Sequence, residues 1–450
     1  MRTALPPGPS SPPIVQTLRT MRDFEGYMTR CVRRYGSVFT IRFVGLGNLV
    51  YLTDPEDVKA VFTGDPDLFR AGEANQMLEP VLGQNSVLLI DGEQHLRRRR
   101  VLLPPFHGDS IERYRELIAE IALREVGRWP LGRTFALRPR MQAITLEVIL
   151  RAVFGITEAA RLERLRVLLP ELLARSTTLM WLPVMQRRFG RWSPARRFER
   201  VRDAIDELLY DEIRRRRESG ATGDDVLSIL LAATDEDGNG LSDAELRDEL
   251  MTAVTAGHET TATGLSWTFD LLLHHPAVLE RLEESLAAGE DEYLDAVVKE
   301  SLRVRPVVAD VARVVTRPVE IAGHELPSGT MVVPAISAVH RYANRYPQPF
   351  EFRPERFLEG QPEPYTWIPF GGGTRRCVGA AFAQLEMKVA IPTILGAARL
   401  ESASDQQEHS RLHNVTLIPP KGVKVRLVER RPAPGRDFAR QEEPAPTAPS

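Results

Sequence analysis

FGGGTRRCVG, residues 370–379, is the stretch that decides how this chain is read. Three consecutive glycines permit a tight loop and let the backbone approach a flat ligand closely. Residues 380–395 are good helix formers, so Cys377 stands just before a helix N-terminus. There, free N–H groups and the helix dipole favour a thiolate over a thiol, and Arg375 and Arg376 add positive charge. A cysteine so placed suits metal ligation or nucleophilic attack. Spacing removes several rivals. A phosphate-binding loop needs a lysine after its glycines, and none follows. A phosphatase would carry an arginine six residues after the cysteine, where Ala383 stands. A zinc site would add Cys or His at short spacing, and none is near. A small buried cysteine after a turn remains as the bland alternative.

Outward from the loop, the longest helix is expected to start at Ser242, where Ser242 and Glu245 form a capping box, and to run to about His274, ahead of Pro276. At roughly 1.5 Å per residue it crosses a whole domain. Midway lies Ala256-Gly257-His258-Glu259-Thr260-Thr261. An acid and two hydroxyls in an otherwise apolar helix are costly unless paired or used, and a threonine bonded back to the preceding turn bends the helix. A zinc-protease reading of His258-Glu259 needs a histidine at 262, and Ala262 is there. Upstream, Asp235, Asp237 and Asn239 imitate a calcium loop, but Leu246 takes the place of its bidentate glutamate.

The remaining pattern is mainly helical with a minor β region. Residues 37–52 read as a hairpin, 311–316 and 330–333 as short strands, and 111–231 as helices. Residues 144–156 are apolar almost all round and should be a buried helix. Glu300 and Arg303 share a helix face before Pro306; His95 and Arg99 stand one turn apart in a basic run. The 450 residues, 43% hydrophobic and 27% charged, suit a globular chain, and a net charge of −2 argues against a nucleic-acid binder. Two distant cysteines, Cys31 and Cys377, fit a reducing cytoplasm rather than a disulfide framework. No apolar run is long enough for a transmembrane anchor, and no secretory leader is read at the N-terminus. Residues 1–13 read as a proline-rich arm, 14–429 as one domain, and 430–450 as a disordered tail.

The pattern Phe-x-x-Gly-x-Arg-x-Cys-x-Gly, met from Phe370 to Gly379, resembles the signature of the cytochrome P-450 family. The likeness runs from about residue 35 to 428. It implies the cytochrome P-450 fold, a single large helical domain with small antiparallel sheets. It implies a monooxygenase that takes two electrons, activates O2 and inserts one oxygen atom into an organic substrate. By the same resemblance Cys377 is the axial thiolate of haem b, with Phe370, Gly371, Gly379 and Ala256 around the cofactor. His95, Arg99, Arg313 and Arg375 are its propionate contacts. Glu259 and Thr260 form the acid–alcohol pair that delivers protons. Glu300, Arg303 and Arg356 form a structural network. Thr252, Thr255, Ala256, Val307 and Val308 are the expected substrate contacts. Residues 71–89 and 169–189 would complete the pocket, and the apolar content of the latter suggests a lipophilic substrate. With no flavin or iron–sulfur unit read in the chain, electrons should come from a ferredoxin or flavodoxin and its NAD(P)H-dependent reductase. Arg98, Arg100 and Arg376 are expected to form an exposed docking patch for that donor.

Overall fold

Ser242 starts the element around which the molecule is built. Its hydroxyl accepts from the Glu245 N–H, the Glu245 carboxylate accepts from the Ser242 N–H, and both acids of the first turn sit at the positive end of the dipole. The helix so capped, Asp243–His274, has 32 residues and is roughly 48 Å long. Every residue from Thr261 to Leu272 is buried, so its second half is wrapped by protein on all sides. In this computed structural model the described residues are 5–156, 158–181, 193–220, 223–235 and 238–432.

Helix Arg138–Phe154 packs along the central helix; between Ile144 and Phe154 only Arg151 is not buried, which is why that stretch reads as apolar all round. Helix Ala380–Ala397, which follows the cysteine loop, packs between the central helix and helix Arg115–Val126. Their apolar faces form one core with Trp129, Phe269 and Ile394. A second core joins the first half of the central helix to helices Ala159–Trp181 and Pro194–Ser219. Residues 182–189, part of the segment expected to close the pocket, lie outside the described residues, as do 1–4 and 433–450.

The β region supplies the opposite wall. Strands Val38–Phe43 and Gly47–Leu52 form the expected hairpin. Gly47–Leu52 then pairs with Met331–Pro334, which pairs with Arg313–Val315, and Phe69–Arg70 closes the five-stranded sheet. Every pairing between named strands is antiparallel except Gly47–Leu52 with Met331–Pro334, which is parallel. Hairpins Val319–Ile321/His324–Leu326 and Arg411–His413/Thr416–Ile418 and a three-stranded sheet of Thr134–Ala136, Lys424–Arg430 and Ala398–Ser402 complete it among the described residues. The proline arm is not free: the carbonyls of Pro6 and Pro7 accept from the Thr40 hydroxyl and N–H. A Cβ at Gly8 would lie 1.9 Å from the Thr40 oxygen, so only glycine lets the arm lie this close. No helix among the described residues is long and apolar enough to cross a membrane.

Candidate functional site

The cysteine loop is closed by its own backbone: Cys377 N–H donates to Phe370 O at 2.9 Å. It is clasped to helix Pro55–Thr63, where Phe62 lies against Gly372 and Gly373. Gly373 has φ +62°, and a Cβ there would stand 1.8 Å from the Phe62 carbonyl oxygen. Phe370 meets Trp367 edge-on, with centroids 6.2 Å apart. Cys377, three residues ahead of helix Ala380–Ala397, keeps accessible surface although protein surrounds it. Burial pushes its thiol pKa up, and the Gly379 N–H, Arg99 and Arg376 pull it back toward the thiolate. Cys31, by contrast, is packed among Phe24, Phe39 and Tyr51.

Four cationic or basic side chains gather beside this loop. Arg375 donates to the carbonyls of Val87 (3.0 Å) and Ile90 (2.6 Å) and to Asp91 Oδ1 (2.5 Å). Arg313, from strand Arg313–Val315, donates from its side chain only to the Ala312 carbonyl among the described residues. Burial and the neighbouring Arg375 push Arg313 down to about 10. His95 is buried and pushed down to about 3 by burial and by Arg375, Arg99 and Arg313, so its ring is neutral. Among the described residues Asp91 is the only carboxylate paired with any of the four. Arg98 corrects the expectation of an exposed patch. It turns inward, where its guanidinium bonds Glu249 Oε1 and Asn85 O at 3.0 Å each and also pairs with Glu245. Arg100 and Arg376 are exposed.

On the central helix, Thr260 Oγ1 donates to Ala256 O at 2.5 Å. Glu259 Oε1 accepts from Arg138 Nη2 at 2.7 Å. Glu259 and Thr260 line a cavity of about 590 Å³ together with Thr255, Ala256, Val308, Arg313 and Arg375. Thr255 is buried at its hydroxyl without a hydrogen-bond partner among the described residues. Thr252 and Val307, expected as substrate contacts, do not reach this wall. Thr252 is spent on Ser86 Oγ (2.7 Å) and Asp248 O (2.6 Å), and Val307 belongs to the main core. A second cavity, of about 410 Å³, lies on the far side of Glu259 and is lined by Arg138, Gln142, His258 and His413. His258, pushed down to about 4 by burial, turns away from the first cavity.

Glu300 and Arg303 form a fully buried pair at 2.6 Å, with Arg356 at 3.3 Å from the same carboxylate. Sequence reasoning missed Asp91, Arg138, Tyr51 and Asp310. Asp310 carried a signal, an acid inside the apolar run Val307–Val315; the others are ordinary residues until the fold joins distant segments.

A family model for cytochrome P450 matches residues 6–427. Putative cytochrome P450 135B1 of Mycobacterium tuberculosis is 46% identical over 435 residues, covering 94% of this chain and 91% of that protein. Putative cytochrome P450 135A1 of the same organism is 39% identical over 442 residues, covering 96% and 97%. Among solved structures, retinoic acid bound cyanobacterial CYP120A1 superposes with a TM-score of 0.84 at 25% identity, covering 95% of this chain and all of that one. The P450DA heme domain gives 0.84 at 26% identity, covering 96% and 99%. A helical oxidoreductase fold with small sheets is thus the class. The chain belongs to the cytochrome P450 family, whose members are monooxygenases that carry haem on an axial cysteine thiolate.

Proposed function

We propose that Cys377 is the axial thiolate ligand, that the cavity of about 590 Å³ is the substrate chamber, and that Glu259 and Thr260 serve proton delivery at its wall. The observation that carries this reading is the exposed Cys377, held in its glycine loop beside the cationic side chains of Arg99, Arg313 and Arg375. The charge balance of that cluster fits haem b. The guanidiniums of Arg99, Arg313 and Arg375 face one carboxylate, Asp91, while His95 is neutral. Two positive charges are left over, and haem b has two propionates to meet them. Buried charge without such partners is costly. Phe370, Gly371 and Gly379 would border the ring on the sulfur side, and Ala256 on the other.

Haem bound there supplies an iron that accepts two electrons in turn and activates O2, the thiolate favouring O–O cleavage. The chain's own residues do the rest. The Gly379 N–H, Arg99 and Arg376 offset part of the burial that raises the Cys377 thiol, and so favour its ionisation when a metal takes the sulfur. Thr260 Oγ1, its hydrogen given to Ala256 O, has lone pairs free to accept a hydrogen bond in the chamber and so to position a proton-carrying water there. Glu259 stands between the two cavities, with Oε1 held by Arg138 and Oε2 as the oxygen on which a proton can be carried. Positioned proton transfer of this kind contributes roughly 10²–10⁴ in rate.

A lipophilic substrate is supported by the apolar bulk of the wall and by the neighbour that holds retinoic acid. Electrons from a ferredoxin or flavodoxin with its reductase would enter on the face that exposes Arg100 and Arg376. The deciding experiment is the absorption spectrum of the reduced protein with carbon monoxide, which reports the axial sulfur. The wild type should show thiolate ligation and Cys377→Ala should lose it; an unchanged spectrum in the variant refutes the assignment. Turnover with reductase and ferredoxin under oxygen, set against peroxide alone, then tests the electron source.

A further inference from the structure

The chamber wall holds a polar pair that neither the cofactor nor the proton path uses. Tyr51, on strand Gly47–Leu52, is 2% exposed, and its ring stacks on Phe39 at 5.7 Å between centroids. Its hydroxyl donates to Asp310 Oδ2 at 3.2 Å. Both residues line the cavity, and around them the wall is apolar: Phe24, Phe43, Leu49, Met331 and Val333. Tyr51 is the only group hydrogen-bonded to the Asp310 carboxylate among the described residues. Arg313 stands only three residues on and lines the same cavity, but its charged neighbours are Arg375 and Asp91, and Asp310 makes no ion pair among the described residues. Elsewhere in the wall Glu259 pairs with Arg138, Arg202 with Asp203 and Arg375 with Asp91.

An acid in such a place is half-buried, has lost part of its water and has gained one neutral donor in return. Burial pushes Asp310 up to about 6, so at neutral pH it is mostly ionised. A desolvated carboxylate without a counter-ion is unfavourable until a cation or strong donor arrives. With the phenol hydrogen already given to Asp310, the pair presents acceptor positions alone to the chamber. A carboxylate ligand would meet like charge there. A ligand ammonium would supply both the missing donor and the missing charge, and its apolar body would lie along Phe24, Phe43 and Leu49.

We propose that Tyr51 and Asp310 form a substrate-anchoring subsite that selects an apolar molecule bearing a protonated amine. This deepens the chamber reading and rests on it. The test uses the haem-loaded protein and three matched ten-carbon probes, N,N-dimethyldecylamine, decanol and decanoate, titrated by calorimetry at neutral pH. The amine should bind about tenfold more tightly than the alcohol, the margin of one charge-assisted hydrogen bond, and decanoate should bind weakest. Asp310→Asn should abolish the amine's advantage while decanol affinity stays within about twofold, which also shows that the chamber is intact. Tyr51→Phe, with the carboxylate kept, should retain part of the preference. An amine advantage that survives Asp310→Asn, or decanoate as the tightest ligand of the wild type, overturns the subsite. The carbon monoxide spectrum of the same samples separates the two claims. A thiolate spectrum without amine preference sinks the subsite alone, and amine preference without a thiolate spectrum sinks the haem assignment alone.

Discussion

Glu300→Gln keeps the shape of its side chain and removes its charge, in a place where nothing can compensate. The Glu300 carboxylate accepts from Arg303 Nε at 2.6 Å and Nη2 at 2.7 Å, from the Arg353 N–H at 3.0 Å and from Arg356 Nε at 3.3 Å. Both members of the pair have side chains with 0% exposure. Arg303 spends its remaining hydrogens on the carbonyls of His340 and Pro349 (2.8 Å each) and Glu351 (3.0 Å). It thereby pins the 340–356 segment, which leads into the cysteine loop, to helix Glu292–Val304. In the variant a guanidinium is left in the core without a counter-ion, and one amide hydrogen faces donors. Breaking a buried pair in this way costs about 3–5 kcal/mol. Arg356→Ala, which removes one long contact to the carboxylate and one bond to the Gln348 carbonyl, should cost only about 1–2 kcal/mol. Urea unfolding of the haem-loaded protein, followed by tryptophan fluorescence, gives both numbers, and haem release should quicken in the same order. A Glu300→Gln cost below about 1 kcal/mol, or a larger loss from Arg356→Ala, would show that the pair is not the brace described here.

Gly373→Ala should impair haem retention far more than Gly371→Ala. Both glycines have positive φ, which costs an alanine about 1–2 kcal/mol, but only at 373 would the methyl group meet the Phe62 carbonyl, at 1.8 Å. Equal haem content in the two variants would contradict this. Thr260→Ala should go on consuming oxygen while sending reducing equivalents to peroxide, since the hydroxyl at the chamber wall is lost; full coupling of electrons to product would refute its role. His340 is fully buried, accepts from the Ile368 N–H at Nε2, and is pushed down to about 3 by burial and then by Arg303. As pH falls from about 6.5 toward 3, the unfolded chain therefore takes up a proton that the folded one refuses. Stability should fall by about 1.4 kcal/mol per pH unit in that window from this residue. His340→Gln should flatten the slope of the urea midpoint against pH between 7 and 5, and an unaltered slope would count against it.

What the sequence made legible is local in origin. The cap at Ser242 needs two residues three apart, and the hairpin at 38–52 needs a glycine turn between β-branched runs. Helix Arg138–Phe154 announces its burial by carrying apolar residues on every side. Long-range partners leave no such trace. Strand Gly47–Leu52 finds Met331–Pro334 across most of the chain and pairs with it in parallel, so Tyr51 and Asp310 meet although 259 residues separate them. Thr252 and Thr255 look alike on the central helix, yet Ser86 satisfies the first from a distant loop and leaves the second facing the chamber.

The basic run at 97–100 shows the limit most sharply. Consecutive residues on a helix are turned by about 100° from one another, so a run of identical side chains is shared out among different neighbours by rotation alone. Arg98 falls on the side of the central helix, where Glu245 and Glu249 neutralise it. Arg99, one position on, falls on the side of Cys377 and finds no carboxylate. Composition counts both as surface charge, and both are wrong for that reading in opposite senses: one is consumed inside the fold, and the other is left in want of an anion. That remaining charge, together with Arg313 and Arg375, is the ground on which we propose the loop's surroundings as the seat of a doubly anionic cofactor rather than a merely basic patch.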